Sequence, residues 1–357
     1  MSVKTVLWWG RFDPDYSRNR ILRQTYAALG WRIVDFHPLF GQLGDAEALL
    51  RQPPPADLVH VPCFRQRDMA AAARYARRQC LPLLIDPLIS AYDKQIHERG
   101  RFLADSARGR WLLRTERRLF AGADRVLADT PEHARFFTKT LGVDSEKVSI
   151  VYVGAEEPLF SPAPAPAIDA ELEVLFYGSF IPLQGPEVIV QAARLYHGVP
   201  VRWTLLGQGP LRADCQRRAR GLRNVHFENR IPYRDLPARI HRAHILLGVF
   251  GATAKAGRVV PNKVFQALAC GRPLVTRRAP AYPDELLASA DSGIVWVPAA
   301  DAAALAAAVS TLAGQADRLG AAGKAARSSY EFYFSTDRVR TQLQAALAAL
   351  PVTAARG

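Results

Sequence analysis

The chain has 357 residues, of which 49% are hydrophobic and 22% are charged, and this composition excludes a disordered or fibrous protein. The length exceeds what one hydrophobic core usually organises, so two domains are expected. The four cysteines stand far apart without a CxxC pair, which argues against a zinc knuckle or a disulfide framework. The net charge of +14 attracts phosphates, anionic lipids and nucleic acids alike, unless it only reflects an arginine-rich composition.

The first half of the chain alternates short apolar runs with amphipathic helical segments. The first run is too short for a signal peptide, and no apolar stretch approaches the roughly 20 residues that cross a bilayer, so a cytoplasmic protein is expected. We predict strands at residues 5–9, 31–35, 57–61, 81–86, 125–128 and 148–151, and helices at 20–29, at 68–79 and up to about residue 122. This order is typical of a parallel sheet covered by helices.

A proline-rich segment separates this half from a second half with the same alternation. Four prolines between residues 158 and 170 favour an extended connector. Further strands are predicted at residues 172–177, 201–206, 225–227, 245–250, 273–276 and 293–296, and a last helix at 336–350. The resulting prediction is an α/β fold with an N-terminal domain over residues 1–160, a linker over 161–171, a second domain over 172–335, and a C-terminal segment over 336–357 that packs back on the first domain. Two such domains would share one cleft at the carboxyl ends of their strands.

Two glycine turns follow neighbouring predicted strands of the second half. Gly178, Ser179, Gln184 and Gly185 lie in the first turn, and Gly207 and Gly209 lie in the second. Each turn precedes a helix, whose first N–H groups can bind an anion that glycine lets approach closely. One such turn is often only a structural joint, but two at one sheet edge favour a phosphate site.

A basic loop follows the predicted strand at residues 245–250. It holds Arg258 and leads into a helix that Pro261 can start, with Asn262, Lys263 and Gln266 in its first two turns. Lys263 and Gln266 are three residues apart and therefore share one face of that helix. Together these groups can bind a diphosphate and a ribose.

The order of these motifs resembles that of the retaining GT-B glycosyltransferases of family 4, including a segment like residues 224–231 and the sequence Ala-Cys-Gly-Arg-Pro-Leu-Val at residues 269–275. The resemblance implies two Rossmann-like domains, the second binding a nucleotide-sugar donor (UDP-, GDP- or other) and the first an acceptor, with retention at the anomeric carbon. It implies that Arg230 and Ile231 meet the base, that Gly178, Ser179 and Gly185 approach the phosphates, and that Gln266 lies by the ribose.

The chain departs from that family at four of these positions. The family usually carries an arginine and a lysine where Ser179 and Gln184 stand, and a pair of glutamates where Arg258 and Gln266 stand. One interpretation is a subgroup whose positive charge has moved to Arg258 and Lys263, where Arg258 would act in catalysis. The other is a catalytically silent scaffold that only binds the nucleotide-sugar. The first is favoured, because a diphosphate without cations would lose several kcal/mol of binding energy.

Polar loops after strands of the first half are candidate acceptor contacts. Arg11, Arg18, Asn19 and Arg20 follow the first strand, and arginines at a helix start oppose the helix dipole, which predicts an anion nearby. Asp86, Ser90 and Asp93 follow the strand at 81–86, where Asp86 or Asp93 would orient the acceptor hydroxyl. Equally, Asp86 could only cap its turn.

Histidine spacing and the basic segment complete the prediction. His97, His133, His241 and His244 lie in helical patterns without partner spacing, so no metal is predicted, and no cofactor beyond the donor substrate. Residues 94–118 carry eight cations among apolar side chains and could lie on an anionic membrane, or form a solvated helix face. Nucleic-acid motifs are absent, although a basic nucleic-acid or anionic-surface binder is the alternative from another class. The predicted function is sugar transfer to a saccharide or lipid-linked acceptor in cell-envelope glycan or glycolipid synthesis, with the chain cytoplasmic or peripheral at the inner face of the membrane.

Overall fold

A computed structural model describes residues 3–168 and 171–351. In this part of the chain the strands are β1 Thr5–Trp9, β2 Arg32–Phe36, β3 Leu58–Val61, β4 Leu83–Ile85, β5 Arg125–Ala128, β6 Val148–Ile150, β7 Leu172–Ser179, β8 Val201–Gln208, β9 Val225–Glu228, β10 Ile245–Leu247, β11 Leu274–Arg277 and β12 Ile294–Val297.

Helices α1 to α11 lie between these strands in the sequence, as the alternating pattern predicts, and α12 to α14 follow the last strand. They are α1 Ser17–Ala28, α2 Gly44–Arg51, α3 Met69–Arg78, α4 Ala91–Asp93, α5 Ala107–Ala121, α6 Pro131–Lys139, α7 Pro186–Leu195, α8 Arg212–Arg218, α9 Leu236–His241, α10 Asn262–Ala269, α11 Asp284–Ala288, α12 Ala302–Gly314, α13 Leu319–Tyr333 and α14 Thr336–Ala348. No helix of the described residues combines the length and the apolar composition needed to cross a membrane.

The chain divides into two compact units, residues 1–153 with 336–357, and residues 154–335. The sequence predicts the division later, after residue 160. In the first unit six parallel strands take the order β2-β1-β3-β4-β5-β6, so the chain reverses its direction of strand addition between β1 and β3. Ligands of such sheets bind where the carboxyl ends of these two strands diverge.

The second unit repeats this architecture with the order β12-β11-β10-β7-β8-β9, again with parallel strands only. Its point of reversal lies between β7 and β10. The central strands of both sheets are buried on their two faces, as the fully buried strands Thr5–Trp9 and Ile245–Leu247 indicate. The predicted α/β class with two parallel sheets is confirmed.

Helix α14 belongs to the first unit although it ends the described chain. Its Gln342 side chain accepts a hydrogen bond of 3.0 Å from the Tyr152 N–H, and Arg125 donates to the carbonyl of Ala349 just beyond the helix. Val339 and Leu343 are fully buried. The helix therefore closes the side of the sheet on which β5 and β6 lie.

The proline-rich segment is held by the second unit where the structure describes it. Arg272 is buried, and its guanidinium donates to the carbonyls of Ala163 at 2.9 Å, Pro164 at 2.8 Å and His241 at 2.9 Å. Residues 169 and 170 of the predicted linker lie outside the described part. The segment around Ala163 and Pro164 is thus fixed by a buried side chain.

Candidate functional site

Two loops meet at the point of reversal of the second sheet, one after β7 and one after β10. The Phe250 N–H donates a hydrogen bond of 3.0 Å to the carbonyl of Gln184. Gly185 has φ +63°, and a Cβ there would lie 2.7 Å from the backbone nitrogen of Gly251. Only glycine fits this position, because the neighbouring backbone leaves no room for a side chain and φ is left-handed.

The second glycine turn joins the same group of loops. Strand β8 pairs with β7 up to Gly178↔Gly207 and Ser179↔Gln208, so both strands run two residues beyond their predicted ends. Gly207 has φ +137°, and a Cβ there would overlap the carbonyl oxygen of Gly178. The structure therefore brings both predicted glycine turns and the basic loop to one edge of one sheet.

Lys263 of α10 is a buried cation beside this group of loops. Its Nζ donates a hydrogen bond of 2.6 Å to the side-chain carbonyl of Gln184 and lies 3.7 Å from the centroid of the Phe176 ring. Within the described residues no carboxylate pairs with it, and burial lowers the pKa of the ammonium well below its ordinary value. Nζ also lies 2.9 Å from the position that a Cβ on Gly178 would take. A buried amine without a counter-ion is destabilising alone and is stabilised by a bound anion.

A chain of hydrogen bonds extends from Lys263 across the site. The Tyr177 hydroxyl lies 3.1 Å from the Lys263 carbonyl and 3.1 Å from the Gln266 side-chain carbonyl, so it can donate to either. The Gln266 amide donates to the Tyr233 hydroxyl at 3.2 Å, and Tyr233 donates to Glu156. Burial raises the pKa of Tyr177 well above its ordinary value, which keeps the hydroxyl protonated. Sequence reasoning missed Tyr177, Tyr233 and Glu156.

Three further cations surround the loop between β10 and α10. Arg258 is half-buried and Lys255 is buried in the short turn before it. Arg277, at the end of β11, donates from its guanidinium to the carbonyl of Gly251, and burial lowers its pKa. Its Nε has no hydrogen-bond partner in the described residues. Sequence reasoning missed Arg277. The available signal was the pair Arg277 and Arg278 at the end of a strand.

The loop after β9 lies beside the second glycine turn. Arg212 donates to the carbonyl of Gly207 at 2.6 Å and to the side chain of Asn229 at 2.9 Å. The next two residues are Arg230, which is exposed, and Ile231, which is half-buried. Among the other predicted donor contacts, Ser179 and Gly209 are exposed and Asn262 is half-buried at the start of α10.

In the first unit, Arg18 does not await an external anion. Its guanidinium bonds both carboxylate oxygens of Asp86 at 2.9 Å and the carbonyls of Val151 at 2.7 Å and Tyr152 at 2.9 Å. The side chains of Arg18 and Asp86 are both fully buried. The expectation that Arg18 contacts a ligand is thus wrong, since a carboxylate from a strand end already neutralises it.

The Asp86 carboxylate is correspondingly inaccessible. Burial raises its pKa, and the Arg18 guanidinium opposes that rise. Both its oxygens are used by Arg18, so its position supports fixing the start of α1 against β4 rather than contact with an acceptor. The alternative that Asp86 serves the structure of its turn agrees better with this geometry.

The remaining residues near the start of α1 divide into buried and exposed side chains. Asn19 is buried, donates to the carbonyl of Asp13 at 2.8 Å and accepts from the Cys63 thiol at 3.2 Å. Arg20 lies 3.5 Å from the Asp15 carboxylate, and Arg11 is exposed. Arg11 is therefore the more accessible of the predicted acceptor arginines.

Ser90 and Asp93 start the helix after β4. The Asp93 N–H donates to the Ser90 hydroxyl at 3.0 Å, and that hydroxyl donates to Glu116 at 2.5 Å. Glu116 also accepts the N–H groups of Ala91 and Tyr92. Ser90 is therefore a helix cap, contrary to the expectation of an acceptor contact. Glu116 comes from within the basic segment, so its role could not be read from local sequence.

A buried pair of a histidine and an aspartate, His133 and Asp129, follows β5. The Nδ1 of His133 hydrogen-bonds to the Asp129 carboxylate, and the His133 N–H donates to the Thr130 hydroxyl at 3.1 Å. Asp129 lies four residues before His133, across the start of α6, so this histidine has a carboxylate partner that the search for metal-ligand spacing did not indicate. The sequence Asp-Thr-Pro-Glu-His directly after a strand was the available signal.

Comparison with known proteins identifies the family and the fold. Residues 13–154 match the family "Glycosyl transferase 4-like domain" and residues 171–315 match "Glycosyl transferases group 1". The fold is similar to that of Anabaena Alr3699/HepE in complex with UDP, with a TM-score of 0.73, 15% identity, and coverage of 97% of this chain and 100% of that one. The chain belongs to the GT-B glycosyltransferases of family 4.

The curated relatives of this GT-B chain are longer than the region they share with it. It is 29% identical to the D-inositol 3-phosphate glycosyltransferase of Segniliparus rotundus over 68% of this chain and 57% of the relative. It is 30% identical to the putative colanic acid biosynthesis glycosyltransferase WcaL of Escherichia coli over 59% of this chain and 53% of the relative. The chain thus spans about half the length of these curated relatives.

Within the family, one of the two changed residues of the first glycine turn has a physical explanation. Gln184 stands where the resemblance leads us to expect a cation, and its side-chain carbonyl accepts from Lys263 of α10. A positive group therefore lies beside this position although the residue itself is neutral. Ser179 has no such substitute beside it among the hydrogen bonds of the described residues.

Proposed function

We propose that the chain transfers a sugar from a nucleoside diphosphate sugar to the hydroxyl of a saccharide or lipid-linked acceptor, with retention at the anomeric carbon. The observation that carries the proposal is the buried Lys263 ammonium at the point of reversal of the second sheet. Ligands of parallel sheets bind at such points, and a diphosphate supplies the negative charge that this amine lacks.

The proposed donor site assigns a role to each part of the loop group. Lys263 and Arg258 would bind the diphosphate and stabilise the charge that develops on it as the sugar leaves. Gly178 and Gly185 would let the phosphates approach the backbone. Gln266, held by Tyr177, would bind the ribose. The HepE structure contains UDP, which makes UDP the first nucleotide to test.

The acceptor role falls to the first unit. We propose that Arg11 and Arg20 bind an anionic part of the acceptor. Asp93 is as fully buried as Asp86, so the predicted contact between its carboxylate and the acceptor hydroxyl is not part of the proposal. In retaining transfer of this kind the leaving phosphate can itself take the proton of the attacking hydroxyl, so no protein base is required. The WcaL relative, named for colanic acid biosynthesis, supports a cell-envelope glycan as product.

Nucleotide binding is tested by thermal unfolding with UDP, GDP, ADP, CMP and dTDP. A nucleotide at 100 times its Kd stabilises by about 2.7 kcal/mol, which raises Tm by roughly 5–10 °C. We expect one nucleotide to do so, and Lys263→Met to abolish the shift. Lys324→Met is the matched control, because Lys324 is exposed on α13. If all five nucleotides leave Tm unchanged at millimolar concentration, the donor site is wrong.

A silent scaffold is the second candidate, favoured by Arg258 and Gln266 at the positions where the resemblance implies glutamates. The two candidates differ in turnover only. With the selected nucleotide-sugar, release of the free nucleoside diphosphate in the presence of an acceptor panel supports the transferase. If the nucleotide-sugar binds but no nucleoside diphosphate is released, either by transfer or by slow hydrolysis of the donor, the result supports the scaffold.

A further inference from the structure

The loop before α5 and the outer face of α5 form an exposed basic surface, defined here as residues 99–118. This surface contains seven arginines and two acids. Glu116, one of the two acids, is buried and accepts three hydrogen bonds from Ser90, Ala91 and Tyr92. Its charge is directed inward, so the outward field of the basic surface is more positive than its composition suggests.

Large apolar side chains lie exposed among these arginines. Leu103 is 75% exposed, Trp111 is 45% exposed and Phe102 is 37% exposed. Phe102 and Leu103 lie in the loop before α5, and Trp111 lies in the first turns of the helix. Burying these three side chains from water would be favourable, since fully burying each contributes hydrophobic stabilisation in proportion to its apolar area.

The inner face of α5 already accounts for the packing of this helix. Its buried residues are Gly109, Glu116 and Phe120. The Arg108 guanidinium lies 4.3 Å from the Trp111 ring, so a cation and an aromatic ring are stacked on the outer face. The core of the first unit therefore does not require Phe102, Leu103 or Trp111 to be apolar, and their exposed surface is available to a partner.

We propose that the basic surface docks on a bilayer of anionic lipids. The arginines would bind headgroup phosphates, while Phe102, Leu103 and Trp111 enter the boundary between headgroups and acyl chains. Tryptophan and basic residues are enriched at this depth of a membrane. The surface would bring the first unit to lipid-linked acceptors, although lipid binding itself needs neither donor nor acceptor.

Leu103 distinguishes a bilayer from nucleic acid. Single-stranded nucleic acids stack their bases on aromatic side chains, which Trp111 and Phe102 would allow. An aliphatic side chain offers no π-face for stacking, and Leu103 is the most exposed of the three. Acyl chains bind aliphatic and aromatic side chains alike, so the bilayer accounts for all three residues.

The test measures binding of the full chain to vesicles of phosphatidylcholine alone and to vesicles that also contain phosphatidylglycerol. We expect binding to the anionic vesicles only, weakened by salt. The triple variant Arg108→Gln, Arg110→Gln, Arg114→Gln should lower the partition coefficient about 100-fold, at about fivefold per arginine. If the unaltered chain does not bind the anionic vesicles, the proposal is overturned.

A second triple variant tests the apolar contribution at constant charge. Phe102→Ser, Leu103→Ser, Trp111→Ser should lower partitioning about tenfold or more, while an unchanged Tm shows that the exposed positions do not support the fold. Vesicles should also shift the tryptophan emission to the blue in the unaltered chain, and less so in Trp111→Phe. Equal partitioning of the serine variant and the unaltered chain contradicts insertion.

A charge-matched control comes from the second unit. Arg220, Arg223 and Arg242 are exposed, and their replacement by glutamine removes the same charge elsewhere. We expect this variant to keep its vesicle binding. Should it lose binding as the first triple does, net charge alone would explain the result. Tighter binding to a single-stranded DNA oligonucleotide than to anionic vesicles would assign the surface to nucleic acid instead. None of these measurements uses a nucleotide-sugar, so their failure leaves the donor site untouched.

Discussion

The buried charged side chains at the strand ends have counter-ions in the first unit, whereas Lys263 in the second unit has none among the described residues. In the first unit Arg18 pairs with Asp86, and Asp129 pairs with His133, inside the protein. In the second unit the contacts of the Lys263 ammonium with the described residues are the side-chain carbonyl of Gln184 and the faces of the Phe176 and Tyr177 rings. A buried charge with its own counter-ion stabilises the fold of a loop, whereas one without a counter-ion lowers stability until a ligand arrives.

The largest expected effect is in the first unit, where Asp86→Ala leaves Arg18 buried and unpaired. Removing one partner of a buried ion pair costs about 3–5 kcal/mol. The free energy of unfolding, measured in urea, should fall by that amount. Arg18→Met combined with Asp86→Leu should recover much of the loss, because no charge then remains buried. A loss below about 1 kcal/mol for Asp86→Ala would show that the pair is not the internal support described here.

The second prediction exchanges the residues at the centre of the donor site. Lys263→Gln should weaken binding of the selected nucleotide roughly 10- to 100-fold, since a hydrogen bond to a charged group contributes about 1.5–3 kcal/mol. Adding Gln184→Lys restores a cation beside Gly178 and should recover part of that affinity. Titration calorimetry measures both. If the double variant binds as weakly as Lys263→Gln, the charge cannot be supplied from the first glycine turn.

A smaller effect is expected at the histidine pair. Asp129→Asn retains the shape of the side chain but removes its charge, and should lower the free energy of unfolding by about 1–3 kcal/mol. Asp105→Asn is a control at an exposed position. Urea unfolding at neutral pH checks the difference. Equal stability of the two variants would mean that the His133 contact contributes nothing to the first unit.

The smallest effect is proton uptake by Lys263. Burial lowers its pKa below the ordinary value of 10.5, so the unfolded chain binds more protons and stability should rise with pH between the lowered pKa and 10.5. A bound diphosphate raises the pKa again, so nucleotide binding should take up as much as one proton and weaken as pH rises. Calorimetry in buffers of different ionisation enthalpy measures this uptake, which should be absent in Lys263→Gln, a variant whose weakened binding is still measurable.

The elements and the glycine turns of this fold could be predicted because their signals are local. Strands β1 and β5 begin and end where the apolar runs do. The turns at Gly178 and Gly207 were found from glycine after a strand and before a helix. The register Gly178↔Gly207, which extends β7 and β8, depends on two chain segments and was not predictable from either one.

The contacts that decide the role of each charge could not be predicted for the same reason. Asp86 is 68 residues from Arg18, and Glu116 is 26 residues from Ser90. The sequence around Arg18 or around Ser90 does not show whether the side chain pairs with another residue of the protein or contacts a ligand. Only the spacing from Asp129 to His133 was local, and recognition of an (i, i+4) pair at a helix start would have found it.

The position of α14 affects the order in which the protein can fold during synthesis. The first unit begins at the N-terminus, but its Tyr152 N–H and Arg125 guanidinium bind residues near the end of the described chain. Residues 154–335, by contrast, form a compact unit from one continuous stretch. On the ribosome, the second unit can therefore complete its native contacts first. Until α14 leaves the ribosome, the sheet of the first unit lacks the helix that covers its β6 side. A chaperone would bind this exposed apolar surface during that interval.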